Sequence, residues 1–230
     1  VAGTQTEINK AKKKLEKLEK SKQETQDGKL YKNAVEWRFE FPNLLNDSGE
    51  FMGFDIVIAN PPYGSDIDNE VDYFKKKFPL TTKGFKDIYK IFYNLGLEFL
   101  LKENGVISYI TPNTFMLQPR YEDLRSFMLQ YNIQTLLNLG EEVFKEVVVP
   151  TAIIIIKKEN KSEILEFADI SVGSKYNGKI NDVKFHQMSQ NDFEINYGKL
   201  FANNIRGLKA DEVILDKILD FKDAGINYQR

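Results

Sequence analysis

Asn60, Pro61, Pro62 and Tyr63 stand side by side, and these four residue types together suit one kind of chemistry. Proline has no backbone N–H and a fixed φ, so the turn is short of donors and rich in outward carbonyls. The Asn60 side chain adds an acceptor, and Tyr63 adds an aromatic face. Such a set can receive a planar group that carries an amine. One N–H goes to the Asn60 side-chain oxygen, the other to a proline carbonyl, and the ring stacks on Tyr63. Held in this way, the amine loses conjugation with its ring, and its lone pair is free to meet an electrophile. A plain Pro-Pro turn with a capping Asn is the bland reading. The text before the motif favours the chemical one.

That text is Phe54-Asp55-Ile56-Val57-Ile58-Ala59. Three consecutive β-branched residues predict a parallel strand covered on both faces. The prolines stop it, because no ladder continues through them. The motif is therefore expected at the carboxyl end of a strand, where open α/β sheets place their ligands.

The elements that would hold this strand follow in order. Asp87 to Lys102 carries Ile88, Ile91, Phe92, Leu95, Phe99 and Leu100 with helical period, closed by Asn104-Gly105. Val106 to Ile110 reads as a second strand. Thr111-Pro112-Asn113-Thr114 breaks it, so it should open at the same sheet edge as the first. A helix over Tyr121–Tyr131, a strand over Ile133–Leu139 and a strand over Val147–Ile156 interrupted by Pro150 complete a βαβ order with a closing hairpin. Beyond these, Ile164–Val172 and Val183–His186 read as short strands, Tyr176–Lys179 as a turn and Asp211–Phe221 as a helix. Upstream, Thr6–Lys22 reads as a solvated helix docked by a narrow seam of Ile8, Ala11, Leu15 and Leu18. Val35, Trp37, Phe39 and Phe41 alternate, which predicts a strand ended by Pro42. The polar stretch from Ser65 to Lys83 reads as a long loop at the mouth of the site. Its Lys75, Lys76, Lys77 and Lys83 either meet phosphates or form a solvated face.

Composition narrows the class. The chain has 230 residues, 42% of them hydrophobic and 13% aromatic, with a net charge of -2. A real core is affordable, and overall charge gives no nucleic-acid signal, so any DNA contact must come from local basic loops. Cysteine is absent, which leaves no disulfide framework or Cys-based zinc site and fits a reducing cytoplasm. Asp66, Asp68, Glu70 and Asp72 lack the glycine and terminal Glu of a calcium loop, so no metal is expected. No apolar run has the length of a membrane span. The opening Val1-Ala2-Gly3 reads as the start of an excised piece.

Asn60-Pro61-Pro62-Tyr63 resembles the catalytic motif of S-adenosylmethionine-dependent amino methyltransferases, which act on adenine-N6 in DNA, guanine-N2 in RNA or glutamine in release factors. The flanking text chooses among them. Trp37-Arg38-Phe39-Glu40-Phe41-Pro42 precedes Gly53–Tyr63. Asp87-Ile88-Tyr89-Lys90-Ile91-Phe92 precedes Gly105–Phe115. Gly140-Glu141-Glu142-Val143-Phe144 precedes Pro150–Ile156. This ordered set resembles the γ-class adenine-N6 DNA methyltransferases, in particular the large bacterial enzymes that combine restriction and modification.

The resemblance implies an α/β fold: a partial Rossmann-like methyltransferase sheet, mostly parallel with an antiparallel hairpin, plus an N-terminal helical segment. It divides the chain into a Lys/Glu-rich insertion (1–34), the catalytic half (35–160), a short β-rich extension (161–205) and a helical linker (206–230). It implies a bacterial, cytoplasmic enzyme acting on double-stranded DNA, with no membrane partner. Asn60 and the Pro61 carbonyl would grip the amine of a flipped adenine, with Pro62 stiffening the turn. Tyr63 and Phe144 would stack on its two faces, since a base inside the duplex cannot reach the cofactor. Phe92 would lie on the adenine of S-adenosylmethionine near Asn60; core packing is the other reading of Phe92. The family's glycine-rich cofactor loop and its acidic ribose residue have no counterpart in these residues. The expectation is a piece that holds the catalytic half, is inactive when isolated from its parent, and leaves the Asp55–Ala59 strand with an uncovered edge open to self-association. Two other readings stand beside this one: a protein-glutamine or RNA-guanine methyltransferase, and a non-catalytic scaffold or DNA-binding piece.

Overall fold

The computed structural model describes residues 5–26, 35, 37–64, 71–83, 87–141, 143–144, 149–171 and 180–202. The chain divides into two compact units, residues 1–52 and 53–230.

In the first unit, helix α1 (Gln5–Gln26) is rich in Lys and Glu. Its Ile8, Leu15 and Leu18 are exposed, so the expected docking seam is solvated. Trp37–Glu40 forms one turn of helix, α2, where a strand was expected. The Phe41 N–H donates to the Trp37 carbonyl at 2.8 Å, and the two rings stack 6.0 Å apart. Pro42 then opens a 3-10 turn over Pro42–Leu44, a place where its fixed φ and missing N–H cost nothing. Alternation alone does not make a strand when no ladder partner runs alongside.

The second unit is built on a six-stranded sheet in the order β1-β2-β4-β3-β5-β6. The strands are β1 (Phe54–Ala59), β2 (Leu101–Pro112), β3 (Tyr131–Gly140), β4 (Thr151–Asn160), β5 (Ile164–Asp169) and β6 (His186–Ser189). β1 pairs parallel with β2, and β3 with β5. The pairings β2/β4, β3/β4 and β5/β6 are antiparallel. The sheet is thus mixed, with more antiparallel pairing than the single hairpin expected. Because β4 runs against both of its neighbours, β2 and β3 point the same way. The carboxyl ends of β1, β2, β3 and β5 therefore lie along one edge of the sheet.

Helix α4 (Ile88–Asn94) continues as a π-helix over Leu95–Leu100 and enters β2 at Leu101. The sequence predicts one α-helix as far as Lys102. The wider turns instead bring Gly96 against β2, where a Cβ would fall 2.4 Å from Ile107 Cδ1. Tyr89, Tyr93 and Leu97 pack with Ile107, Tyr109, Ile133, Leu136, Ile154 and Ile156 in the main core. Each fully buried side chain of this size is worth roughly 1.5–3 kcal/mol. Helices α5 (Thr114–Leu117), α6 (Glu122–Met128) and α7 (Gln190–Ile195) add Phe115, Phe127 and Phe193 to it. A smaller cluster of Leu137, Leu139 and Ala168 gathers Ile110 and Ile153.

β1 is not covered on both faces as its sequence suggests. Val57 and Ala59 pack on the core, while Ile56 and Ile58 are 61% and 76% exposed. The strand lies at the edge of the sheet, paired on one side by β2. Gly53 leads into it with φ +86, and a Cβ there would fall 2.5 Å from the Lys102 backbone nitrogen. Lys75, Lys76 and Lys77 lie on a helix, α3 (Val71–Lys77), and not in a loop. The last short strand, β6, begins at His186, three residues beyond the expected start. Asp66, Asp68 and Glu70 of the acidic run, the turn 176–179 and the helix 211–221 lie outside the described residues, while Asp72 of that run lies on α3. Among the described residues no helix is long and apolar enough to cross a membrane.

Candidate active site

The motif sits where strand chemistry predicts, immediately past the carboxyl end of β1. Asn60 and Pro62 are exposed, Pro61 is buried and Tyr63 is half-buried. Ala59 pairs in register with Tyr109 of β2, which sets Asn60 beside Ile110. The Tyr63 hydroxyl meets the Asn60 side-chain oxygen and lies 3.1 Å from the Ile110 carbonyl. A phenol has one proton, so it donates to one of these oxygens at a time. Burial pushes the Tyr63 phenol up, so it keeps that proton at neutral pH.

A layer of tyrosines supports the end of β2 from below. The Tyr93 hydroxyl lies 3.1 Å from Thr111 Oγ1, and the Tyr89 hydroxyl 3.4 Å from Thr114 Oγ1. Tyr109 donates to the Phe92 carbonyl at 3.4 Å. Burial raises all three phenols, which remain neutral donors.

Asp87 stands just before α4 and is buried. The N–H groups of Tyr89 and Gly64 face its carboxyl, and the Tyr121 hydroxyl reaches Oδ2 at 3.4 Å. Among the described residues its Oδ1 has no hydrogen-bond partner. Burial outweighs these neighbours and raises the carboxyl above the usual range. Asp87 thus ties the exit of the Asn60–Tyr63 turn, Gly64, to the start of α4. One turn on, Lys90 is fully buried and places Nζ 2.8 Å from both oxygens of Asp123. Burial lowers this ammonium, and Asp123 opposes that shift.

The other expected residues are spread around this centre. Phe92, on α4, is half-buried and packs on the main core with Val57 and Ala59. Phe144 is half-buried and follows the end of β3. Neither has a ring contact with Tyr63 among the described residues. Lys75, Lys76, Lys77 and Lys83 are exposed, and Lys77 Nζ sits 4.8 Å over the Phe99 ring. A groove of about 430 Å³ is lined by Lys83, Arg120, Asp123, Ser126 and Gln130, and by neither Asn60 nor Tyr63. Among the described residues no cluster of three His, Asp or Glu could hold a metal ion.

Sequence reasoning passed over a chain of polar side chains at the same sheet edge. Asn113 Nδ2 donates to Asn138 Oδ1 at 2.9 Å, and Asn138 Nδ2 donates to Asp169 Oδ2 at 3.1 Å and to Ser171 Oγ at 3.2 Å. The available signal was Asn138, a carboxamide inside the apolar run Ile133–Leu139.

The sequence profile described as "Eco57I restriction-modification methylase" matches residues 3–144. The type II restriction enzyme and methyltransferase RM.Eco57I of Escherichia coli is 30% identical over 151 residues, covering 55% of this chain and 15% of that protein. The adenine-specific methyltransferase BrxX of Escherichia coli O9:H4 (strain HS) is 30% identical over 153 residues, covering 61% of this chain and 12% of that protein. The chain therefore spans a small part of the length of these relatives. Among solved structures, a DrdV–DNA complex shares the fold with a TM-score of 0.50 at 15% identity, over 74% of this chain and 20% of that one. A nuclease-deletion mutant of the Type ISP restriction-modification enzyme LlaGI, in complex with a DNA substrate mimic, does so with a TM-score of 0.50 at 13% identity, over 65% and 15%.

Proposed function

The chain belongs to the Eco57I restriction-modification methylase family, and on that ground we propose that it is the catalytic portion of an adenine-N6 DNA methyltransferase. The observation that carries the proposal is the Asn60–Tyr63 turn at the carboxyl end of β1, with its carboxamide exposed and its tyrosine anchored on β2. Asn60 Oδ1 and the Pro61 carbonyl accept the two amine protons of an adenine turned out of the duplex. The nitrogen lone pair is thereby directed out of the ring plane. Tyr63 supplies one stacking face and Phe144 the other, which offsets part of the few kcal/mol that extrusion costs. Pro62 keeps the turn stiff. Positioning and electrostatics do the work, with no covalent enzyme intermediate.

S-adenosylmethionine is the methyl source this chemistry calls for. Phe92 and Asn60 are the residues of this chain assigned to it. They do not make a whole cradle: the described residues offer no glycine-rich turn and no acidic strand end beside β1, whose outer face carries the exposed Ile56 and Ile58. The electrophile is therefore held mainly by other parts of the parent protein. Lys75, Lys76, Lys77 and Lys83 are assigned to DNA phosphates. The free edge of β1 is assigned to pairing, with further strands of the parent or with a second copy.

The test uses the full-length parent with labelled S-adenosylmethionine and duplex DNA. Label on adenine-N6 that disappears in Asn60→Ala supports the assignment. Label on RNA or on a protein glutamine instead moves it to a sister activity. No transfer at all by a folded, cofactor-bound parent overturns it.

A further inference from the structure

The polar chain Asn113–Asn138–Asp169–Ser171 has a satisfied, buried carboxamide at Asn138, exposed ends at Asp169 and Ser171, and a place at the sheet edge where β2 and β3 end. Asn138 is 6% exposed. Its carboxamide uses its oxygen for Asn113 and its two protons for Asp169 and Ser171. The orientation of the amide follows from these partners, because only this one gives every group a mate. Asp169 Oδ1 in turn accepts from the Ser171 N–H at 2.9 Å and from Ser171 Oγ at 2.6 Å. A half-satisfied buried network is costly, whereas a complete one rigidifies what it joins.

What it joins is specific. Asn113 lies three residues past Ile110, the carbonyl that seats the Tyr63 hydroxyl. The Asn113 N–H donates to the Pro150 carbonyl at 2.9 Å, at the entry to β4. Asn138 lies two residues before Gly140, where the chain leaves β3 toward Phe144. Gly140 has φ +75 and sits so close to Ser171 that a Cβ would fall 2.7 Å from the Ser171 Cα. Backbone pairing does not fix this corner by itself. The β3/β4 register slips between Asn138 and Gly140, and the β3/β5 ladder ends at the Asn138–Asp169 pair. Side chains add to the backbone bonds that remain there, the Gly140–Thr151 pair and the Ile170 N–H that donates to the Asn138 carbonyl at 2.9 Å.

We propose that the Asn113–Asn138–Asp169–Ser171 chain is a positioning device that sets the gap between Tyr63 and Phe144, and so the width of the slot for the target base. The inference rests on the reading of Tyr63 and Phe144 as the two faces of that slot. None of the four residues is catalytic; they act through the ends of β2 and β3.

The test again uses the full-length parent. Asn138→Asp sets a second carboxylate against Asp169 and leaves no donor between them. The double variant Asn138→Asp/Asp169→Asn exchanges the two groups and restores a donor–acceptor match, with Asn113 still donating to position 138. Readouts are kcat, the Kd for DNA, and the emission of duplex DNA with 2-aminopurine in place of the target adenine. Asn138→Asp is expected to lower kcat by about 10- to 100-fold, the scale of a misplacement near 1 Å. The Kd for DNA should hold, and the 2-aminopurine emission in the complex should rise because the base is less tightly stacked. The double variant should recover most of kcat and the quenched emission. Wild-type kcat and emission in Asn138→Asp overturn the proposal, as does a folded double variant that recovers neither. If the double variant does not fold, Asn113→Ala decides: unchanged emission and kcat overturn the proposal, and a brighter, slower complex supports it. Wild-type transfer to adenine, lost in Asn60→Ala, tests the underlying function separately.

Discussion

The Tyr63 hydroxyl reaches two oxygens, the Asn60 side-chain oxygen and the Ile110 carbonyl, with a single proton. When the proton points to Ile110, the Asn60 oxygen is free to accept from a substrate amine. Under the proposed function Tyr63 has two separable parts, a ring that stacks and a hydroxyl that orients. Tyr63→Phe keeps the ring and should lower kcat of the parent by about threefold to tenfold, the worth of roughly one hydrogen bond. Tyr63→Ala removes both and should cost about 100-fold, since base–aromatic stacking alone is worth about 1–3 kcal/mol. Steady-state methylation with both variants checks the order. Equal losses would mean that the ring does not stack.

Asp87 gives a pH signature. Burial raises its carboxyl in the folded state above the usual value. Below the unfolded value both states are protonated, and the fold bears no cost of a buried charge. As pH rises through the raised folded value, the folded state must ionise a buried group, and stability is lost. Asp87→Asn keeps an acceptor for the Gly64 and Tyr89 N–H groups without the charge. Its melting temperature should exceed that of the wild type at pH 7, and the difference should shrink as pH falls toward 4. A constant difference across that range would show that Asp87 carries no such cost.

Lys90 and Asp123 are a buried pair, with side chains 0% and 9% exposed. Lys90→Met leaves the Asp123 carboxylate with the Lys83 and Leu124 N–H groups but without its counter-charge, and should cost about 3 kcal/mol. Lys90→Met/Asp123→Leu removes both charges and should regain most of that loss. Urea denaturation of the four-member cycle measures the coupling. Additive effects would show that the pair contributes nothing beyond its packing.

Residues 1–230 by themselves should bind S-adenosylmethionine weakly or not at all, because the proposed function gives this chain only Phe92 and Asn60 to hold it. Titration calorimetry on this chain and on the parent gives the comparison. Tight binding by the chain alone would mean that the cofactor is held by groups not assigned here.

Much of this was legible in the residues. The β-branched run into Asn60-Pro61-Pro62-Tyr63 marked a strand and its end, and the Pro loop at 112 marked a neighbouring turn at the same edge, whereas Pro150 read as a break inside a strand that in fact starts after it. Local pattern did not reveal what lay beside each element. Ile56 and Ile58 read as buried, yet the strand is an edge with one bare face. Trp37 and Phe41 alternate as a strand would, yet they stack on one turn of helix. Asn138 and Asp169 lie 31 positions apart, and only pairing of β3 with β5 brings them within bonding distance. Nothing beside Lys90 in the sequence pointed to Asp123, 33 positions on, which meets it from α6.

The junction of α4 with β2 has a further consequence. Helix passes into strand through the π-helical turns Leu95–Leu100 with no loop between them. Ile107 and Tyr109 face the core, and Gly96 fits under both. A single residue inserted between Gly96 and Gly105 would turn the inward side chains of β2 outward, and would shift Ile110 away from the tyrosine it seats. This stretch therefore keeps count for the candidate site: its length is set on both sides by packed residues. Drift in length among relatives should be absent between Tyr93 and Asn113.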